Sequence, residues 1–344
     1  MLLLERGATV DAEEARAAAR EILDAAAAES ARRPHTTSIF DLWGALAPRL
    51  RRLARSVHIG SEFLPGIKAL ARDLTALAEK EPDIGIFLAL RQERNNHIDY
   101  GYNHAVHTGM ACVLMARRLE WPTADGELLA RAALTMNLSI ADLQGRMASQ
   151  DFAPLERQRV FICRHPKDSV DLLVKAGVTD IEWLRAVGDH HEHVGGGGYP
   201  SGTKSVGRFA QALRLADVFT AKLTPRLLRT PLSPQEAERQ MYAEGRADAG
   251  TMEMVMALIK EFGIYPPGDA VLLASGEVAV VVRRSAGAKT PLVATITDTR
   301  GRPITATHRR DTADSSYAIV GPAADKSLVA RMPPERVYGF ALAK

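Results

Sequence analysis

From about residue 63 to residue 262 the apolar residues return at helical intervals. They do so in stretches such as "FLALRQ", "GMACVLMARRL" and "GELLARAALTMNLSIADL", with breaks at Pro122, Pro154 and a run of glycines. This pattern predicts a bundle of helices. Upstream, residues 11 to 33 read as an alanine-rich helix, with Asp11 and Glu14 spaced as a capping box and Pro34 as its stop. A second amphipathic helix is expected over roughly 38 to 57, where Leu46, Leu50 and Leu53 oppose Arg49, Arg51, Arg52 and Arg55. That basic face is read as solvated and is given no site. After "GIYPPG" the chain turns valine-rich in "AVLLASGEVAVVVRR" and "PLVATITD", with partial alternation and turn residues between, which predicts strands. The expected fold is therefore mainly α. A helical N-terminal region (1–80) precedes a helical bundle (81–262), and a small β-rich appendage (263–344) follows.

Composition adds limits. A chain of 344 residues with 46% hydrophobic and 25% charged residues is an ordinary globular candidate with room for about two domains. Its net charge of +3 is too small to point to nucleic acid or to an anionic membrane surface. Two cysteines, Cys112 and Cys163, argue against a disulfide framework and fit a reducing compartment. The opening "MLLLERGATV" is too short for a signal-peptide core, and no uncharged apolar run approaches a membrane span. The expected location is the cytoplasm.

The candidate chemistry lies in "GDHHEHVGGGGYP", residues 188 to 200. Adjacent His190 and His191 diverge by about 100° on a regular helix, so they serve one metal only if the backbone turns there, and the glycines that follow permit such a turn. Further metal-capable side chains lie in apolar helical stretches: His104 in "YNHAVH", His165 in "CRHPKD" and Asp217 in "RLADVF". Each alone reads as a core or capping residue. Together they are the donor types that a metal-dependent hydrolase needs, because imidazole and carboxylate bind a divalent ion that lowers the pKa of bound water.

With these residues the sequence resembles the HD-GYP domains of the HD superfamily, bacterial phosphodiesterases that hydrolyse cyclic di-GMP. The family pattern "HHExxxGxGYPxG" is met by His190, His191, Glu192, Gly196, Gly198, Tyr199, Pro200 and Gly202, and the resemblance runs over roughly residues 90 to 283. It implies an HD-superfamily helical bundle with His104, His165, His190, His191 and Asp217 as metal ligands, for Zn, Fe or Mn. It also implies phosphate contacts from Arg226 and Arg229 in "TPRLLR", and a contact from Tyr199 to a ligand or partner.

The sequence departs from the family where the resemblance demands a His-Asp pair and a lysine in "LLHDIGK". The segment "LTMNLSIAD" puts Met136 and Asn137 at the pair and Ile140 at the lysine, with no gap to excuse the change. Tyr100 stands where some members carry an extra glutamate ligand. His193 and Gly195 replace a usual arginine and aspartate. A thioether is a poor ligand for hard ions and an asparagine carbonyl brings no charge to hold two cations together, so at most one transition metal is expected, on the histidines.

Three readings follow, and no catalytic residue is assigned in any of them. The first is a degenerate HD-GYP protein that binds cyclic di-GMP or a partner protein with little or no hydrolysis. The second is a slow single-metal phosphodiesterase. The third is a scaffold that takes no nucleotide and contacts a diguanylate cyclase (GGDEF) domain through the GYP loop. A homodimer is compatible with all three.

Overall fold

A computed structural model describes residues 38–58, 61–91, 97–246, 248–285, 287, 289–324, 329 and 332–339. The helix expected at 11–33 lies outside the described residues. The chain divides into two units, 1–41 and 42–344, and nearly all of the described residues belong to the second.

The segment expected as one helix over 38 to 57 is interrupted at Ala45, giving α1 (Ile39–Gly44) and α2 (Leu46–Ser56). Leu46 and Leu50 are buried. Of the basic face, Arg49 pairs with Asp73 at 2.7 Å and Arg51 with Asp99 at 2.9 Å, while Arg52 and Arg55 are exposed. A docked helix with a solvated charged edge accounts for all four arginines.

There follow α3 (Phe63–Lys80), α4 (Pro82–Leu90), α5 (Tyr100–Arg118), α6 (Thr123–Thr135), α7 (Ala141–Ala148), α8 (Glu156–Lys175), α9 (Ile181–Asp189), α10 (Arg208–Leu223), α11 (Pro234–Gly245) and α12 (Ala249–Phe262). The hub is α5, which packs against α2, α3, α4, α6, α7, α10 and α12 and is buried on nearly every face. A helix apolar all round belongs at the centre of a bundle. Its approach to α7 depends on Gly101, where a Cβ would lie 2.4 Å from the Ala141 carbonyl oxygen. Trp183 of α9 is enclosed, and its Nε1–H donates to Thr135 Oγ1 at 2.9 Å, which fixes α9 on the end of α6.

Beyond Phe262 the strands are β1 (Ala270–Leu273), β2 (Val278–Arg283), β3 (Leu292–Thr295), β4 (Arg309–Asp311) and β5 (Ile319–Pro322), followed by the short α13 (Pro334–Tyr338). They form one antiparallel sheet in the order β4-β3-β2-β1-β5, with Ala270 opposite Val280 and Val280 opposite Ala294. Strand side chains alternate between faces. Ala270, Val280, Val282 and Ala294 join Phe87 of α4 and Val337 of α13 on one side, and Val271, Leu273, Ala279, Val281 and Val293 gather on the other. The sheet is tied to the helices by buried Glu261 at the end of α12, which accepts from Arg117 at 2.8 Å, Arg118 at 2.7 Å and Arg284 at 3.1 Å. A mainly helical fold with a small sheet at its end is what the sequence patterns predict. No described helix is long and apolar enough to cross a membrane.

A candidate metal centre

Helices α5, α7, α8 and α10, with the segments after α6, α9 and α10, enclose a pocket of about 210 Å³. Its walls include His104, Asn137, Ile140, His165, His191, Tyr199, Asp217 and Arg226. His190 sits behind the wall, fully buried.

His165, His190 and His191 come together, each offering one ring nitrogen within 4.8 Å of the others, and this is the one such group among the described residues. The backbone produces the cluster in two ways. On α8 only His165, Pro166, Ser169 and Leu173 are buried, so this helix meets the rest of the molecule along a narrow strip centred on His165. α9 ends at Asp189, and in the turn that follows it adjacent His190 and His191 have ring centroids 4.1 Å apart instead of diverging. The turn is closed by Glu192, whose Oε1 accepts from Ser201 N at 2.7 Å, Ser201 Oγ at 2.8 Å and Gly202 N at 3.0 Å. Tyr199 N donates to His191 O at 3.2 Å, and Gly198 lies so near that a Cβ there would meet Glu192 Cα and His191 O at 2.5 Å. Gly195, Gly196 and Gly197 all take positive φ, which accounts for the glycine run.

The hydrogen bonds decide which nitrogen each ring presents. His165 Nδ1 lies 2.6 Å from Ile162 O, and His190 Nδ1 lies 2.7 Å from Val187 O. A carbonyl only accepts, so both Nδ1 atoms carry protons and a neutral ring then has an unprotonated Nε2. Those two Nε2 atoms face each other at 3.1 Å. Two lone pairs so placed repel unless a cation lies against them. Burial, reinforced by His190, lowers the His165 pKa to about 3, and burial with His190 beside it lowers His191 to about 2. Burial also lowers His190. The group is thus disposed to hold a metal ion: three neutral imidazoles, two with the second nitrogen anchored on backbone, as metal-bound histidines commonly are.

His104 and Asp217 line the same pocket but pair with each other, Nε2 to Oδ1 at 2.6 Å. Burial by itself would raise the Asp217 carboxyl, yet the bond to His104 holds it below the usual carboxylate range. His104 Nδ1 is buried with no partner. Where the resemblance demands a bridging aspartate, Asn137 lines the pocket with a buried Oδ1 that has no hydrogen-bond partner. Ile140 lines it too, whereas Met136 is wholly buried and is not among the lining residues.

The two arginines separate. Arg226 lines the pocket, stacks over the Tyr100 ring with its guanidinium carbon 4.8 Å from the centroid, and donates to Tyr100 Oη through Nε at 2.9 Å and Nη2 at 2.6 Å. Arg229 is not among the lining residues. The two form a tight turn, Arg226 N to Arg229 O at 3.1 Å, and the Arg229 side chain donates to the Ala221 carbonyl while largely exposed. Tyr199 lies against His191 with centroids 4.6 Å apart, turned inward. No sequence pattern marks the Tyr100 contact to Arg226 or the lining roles of Gln144, Met147 and Ile162. Periodicity marks these only as helix residues, and the pairing of residues 100 and 226 depends on how α5 and α10 cross.

Comparison with known proteins agrees with this geometry. A family model described as "HD domain" matches residues 89–249. "Cyclic di-GMP phosphodiesterase PA4108" from Pseudomonas aeruginosa is 26% identical over 196 residues, which is 54% of this chain and 45% of that protein, so the chain matches less than half the length of this relative. Among solved structures, Bd1817, a HDG"Y"P protein from Bdellovibrio bacteriovorus, is similar in fold with a TM-score of 0.51 over 67% of this chain and 75% of that one, at 14% identity. With an HD domain model matching residues 89–249 and the motif from His190 to Gly202 folded around a three-histidine pocket, this region of the chain is similar to HD-domain proteins of the HD-GYP kind.

Proposed function

We propose that this protein is a receptor for cyclic di-GMP that holds one divalent metal on His165, His190 and His191 and hydrolyses the nucleotide little or not at all. The observation that carries the reading is the contrast within one pocket. Three neutral imidazoles lie within reach of one ion, while Asn137, lining the same pocket, offers an uncharged carbonyl. Zinc suits an all-imidazole set. When bound, such an ion polarises a phosphodiester oxygen and lowers the pKa of water. A second ion to stabilise the leaving oxygen needs a bridging carboxylate. Asp217 is committed to His104 and Asn137 carries no charge. His104 and Asp217 then serve as a wall that orients ligand, or join the metal after their own bond breaks.

Ligand recognition falls to Arg226. Of its five N–H donors two are used on Tyr100, leaving three for a phosphate in a planar fork. Tyr100, a neutral phenol at physiological pH, fixes the guanidinium without cancelling its charge. Arg229, directed at Ala221 O, contributes less. The ligand class comes from the relative's name. The inward packing of Tyr199 against His191 favours a role in ligand contact over one in docking a diguanylate cyclase domain.

Calorimetry with cyclic di-GMP tests the reading. Binding should be weakened about tenfold or more by Arg226→Ala, as expected for one charge-assisted contact of roughly 1.5–3 kcal/mol, and much less by Arg229→Ala. Absence of binding at high protein concentration would favour the scaffold reading, and rapid loss of nucleotide during the titration would favour the phosphodiesterase.

A further inference from the structure

We propose that Pro166 is a positioning residue of the metal site, reserving the Ile162 carbonyl for the His165 ring and so turning His165 Nε2, unprotonated, toward His190 and His191. The inference rests on the three-imidazole metal reading above. Pro166 lies inside α8, ten residues after its first residue, Glu156. In an α-helix the N–H of residue i donates to the carbonyl of residue i−4, so the residue at 166 would normally occupy the carbonyl of residue 162. Proline has no N–H, and its ring pushes that carbonyl aside. In an ordinary helix this is a defect of about 3 kcal/mol. Here the freed oxygen is the one that His165 Nδ1 reaches, at 2.6 Å.

The other anchored ring supports the same logic. His190 Nδ1 bonds Val187 O in the last turn of α9, where carbonyls have no intrahelical partner. Both rings therefore rest on carbonyls that helix geometry has left unbonded, one at a helix end and one made available in mid-helix by proline. Without the proline, the main-chain N–H at 166 would compete for Ile162 O. His165 would then be free to take the Nε2–H tautomer, which would place an N–H where a metal needs a lone pair.

The test uses the whole 344-residue chain with 15N-labelled histidine. In metal-free native protein, long-range 15N–1H correlation spectra should show His165 protonated at Nδ1. In Pro166→Ala the spectrum should show an Nε2–H population, and zinc affinity measured by chelator competition should fall by about tenfold, the lower end of what outer contacts to a ligand are worth. Pro154→Ala, a change outside α8, should alter neither. A folded Pro166→Ala that keeps the Nδ1–H tautomer and the native zinc affinity would overturn the proposal. So would an Nε2–H tautomer in the native protein, a result available even if the variant does not fold. Failure of native protein to take up zinc would remove the metal reading alone, because the tautomer comparison on metal-free protein still decides the role of Pro166.

Discussion

The decisive residues are imidazoles whose protonation is set by burial. In the unfolded chain a histidine titrates near 6.5, whereas His165 and His191 are lowered to about 3 and about 2 by burial, with His190 beside them. Below pH 6.5 the unfolded chain takes up protons that the folded site refuses, so metal-free protein loses stability as pH falls from 6.5 towards those values, by about 1.4 kcal/mol per pH unit for each such ring. A consequence for metal binding can be measured. At pH 6, three histidines of ordinary pKa would release roughly two protons on binding zinc, because most are protonated beforehand. The buried cluster should release fewer than one, as read by calorimetry in buffers of different ionisation enthalpy. Release of two or more would mean that the rings are exposed and charged before the metal arrives.

At the level of elements, the site depends on how closely α5 crosses α7, since α5 carries Tyr100 and His104 while α7 supplies Gln144 and Met147. Gly101→Ala would drive a methyl group into the Ala141 main chain and should cost about 1–3 kcal/mol in urea unfolding, whereas Gly188→Ala, with its nearest neighbour at 3.4 Å, should not destabilise. Equal midpoints for the two would show that the crossing has slack. Much at this scale is legible in the sequence. The 3.6-residue pattern marks the bundle, the valine-rich stretch after Phe262 marks the sheet, and the paired histidines with glycines after them mark the turn that gathers the candidate metal site. What the sequence leaves open depends on long-range placement. The break at Ala45 follows Gly44 and precedes Pro48 in the first turn of α2, a signal that the run of apolar positions across it conceals. Arg226 and Arg229 are equivalent by spacing, and only the turn at the end of α10 sends one to the pocket and the other to Ala221. Five candidate ligands by sequence resolve into a triad and a pair because Asp217 lies within reach of His104.

For the molecule as a whole, the bundle, the pocket and the sheet form one frame. Glu261 joins Arg117, Arg118 and Arg284 across helices and sheet, and the pocket walls are drawn from segments far apart in the chain. Such a frame is suited to holding a ligand in one pose. As proposed above, the protein would bind cyclic di-GMP and return it unchanged. The most direct measurement is a single-turnover incubation, with zinc-loaded protein in excess over cyclic di-GMP, followed by denaturation and chromatography of the released nucleotide. The nucleotide should be retained by native protein, poorly retained by Arg226→Ala, and recovered in both cases as intact cyclic di-GMP. Linear dinucleotide or GMP formed by native protein, and abolished by His190→Ala, would contradict that proposal.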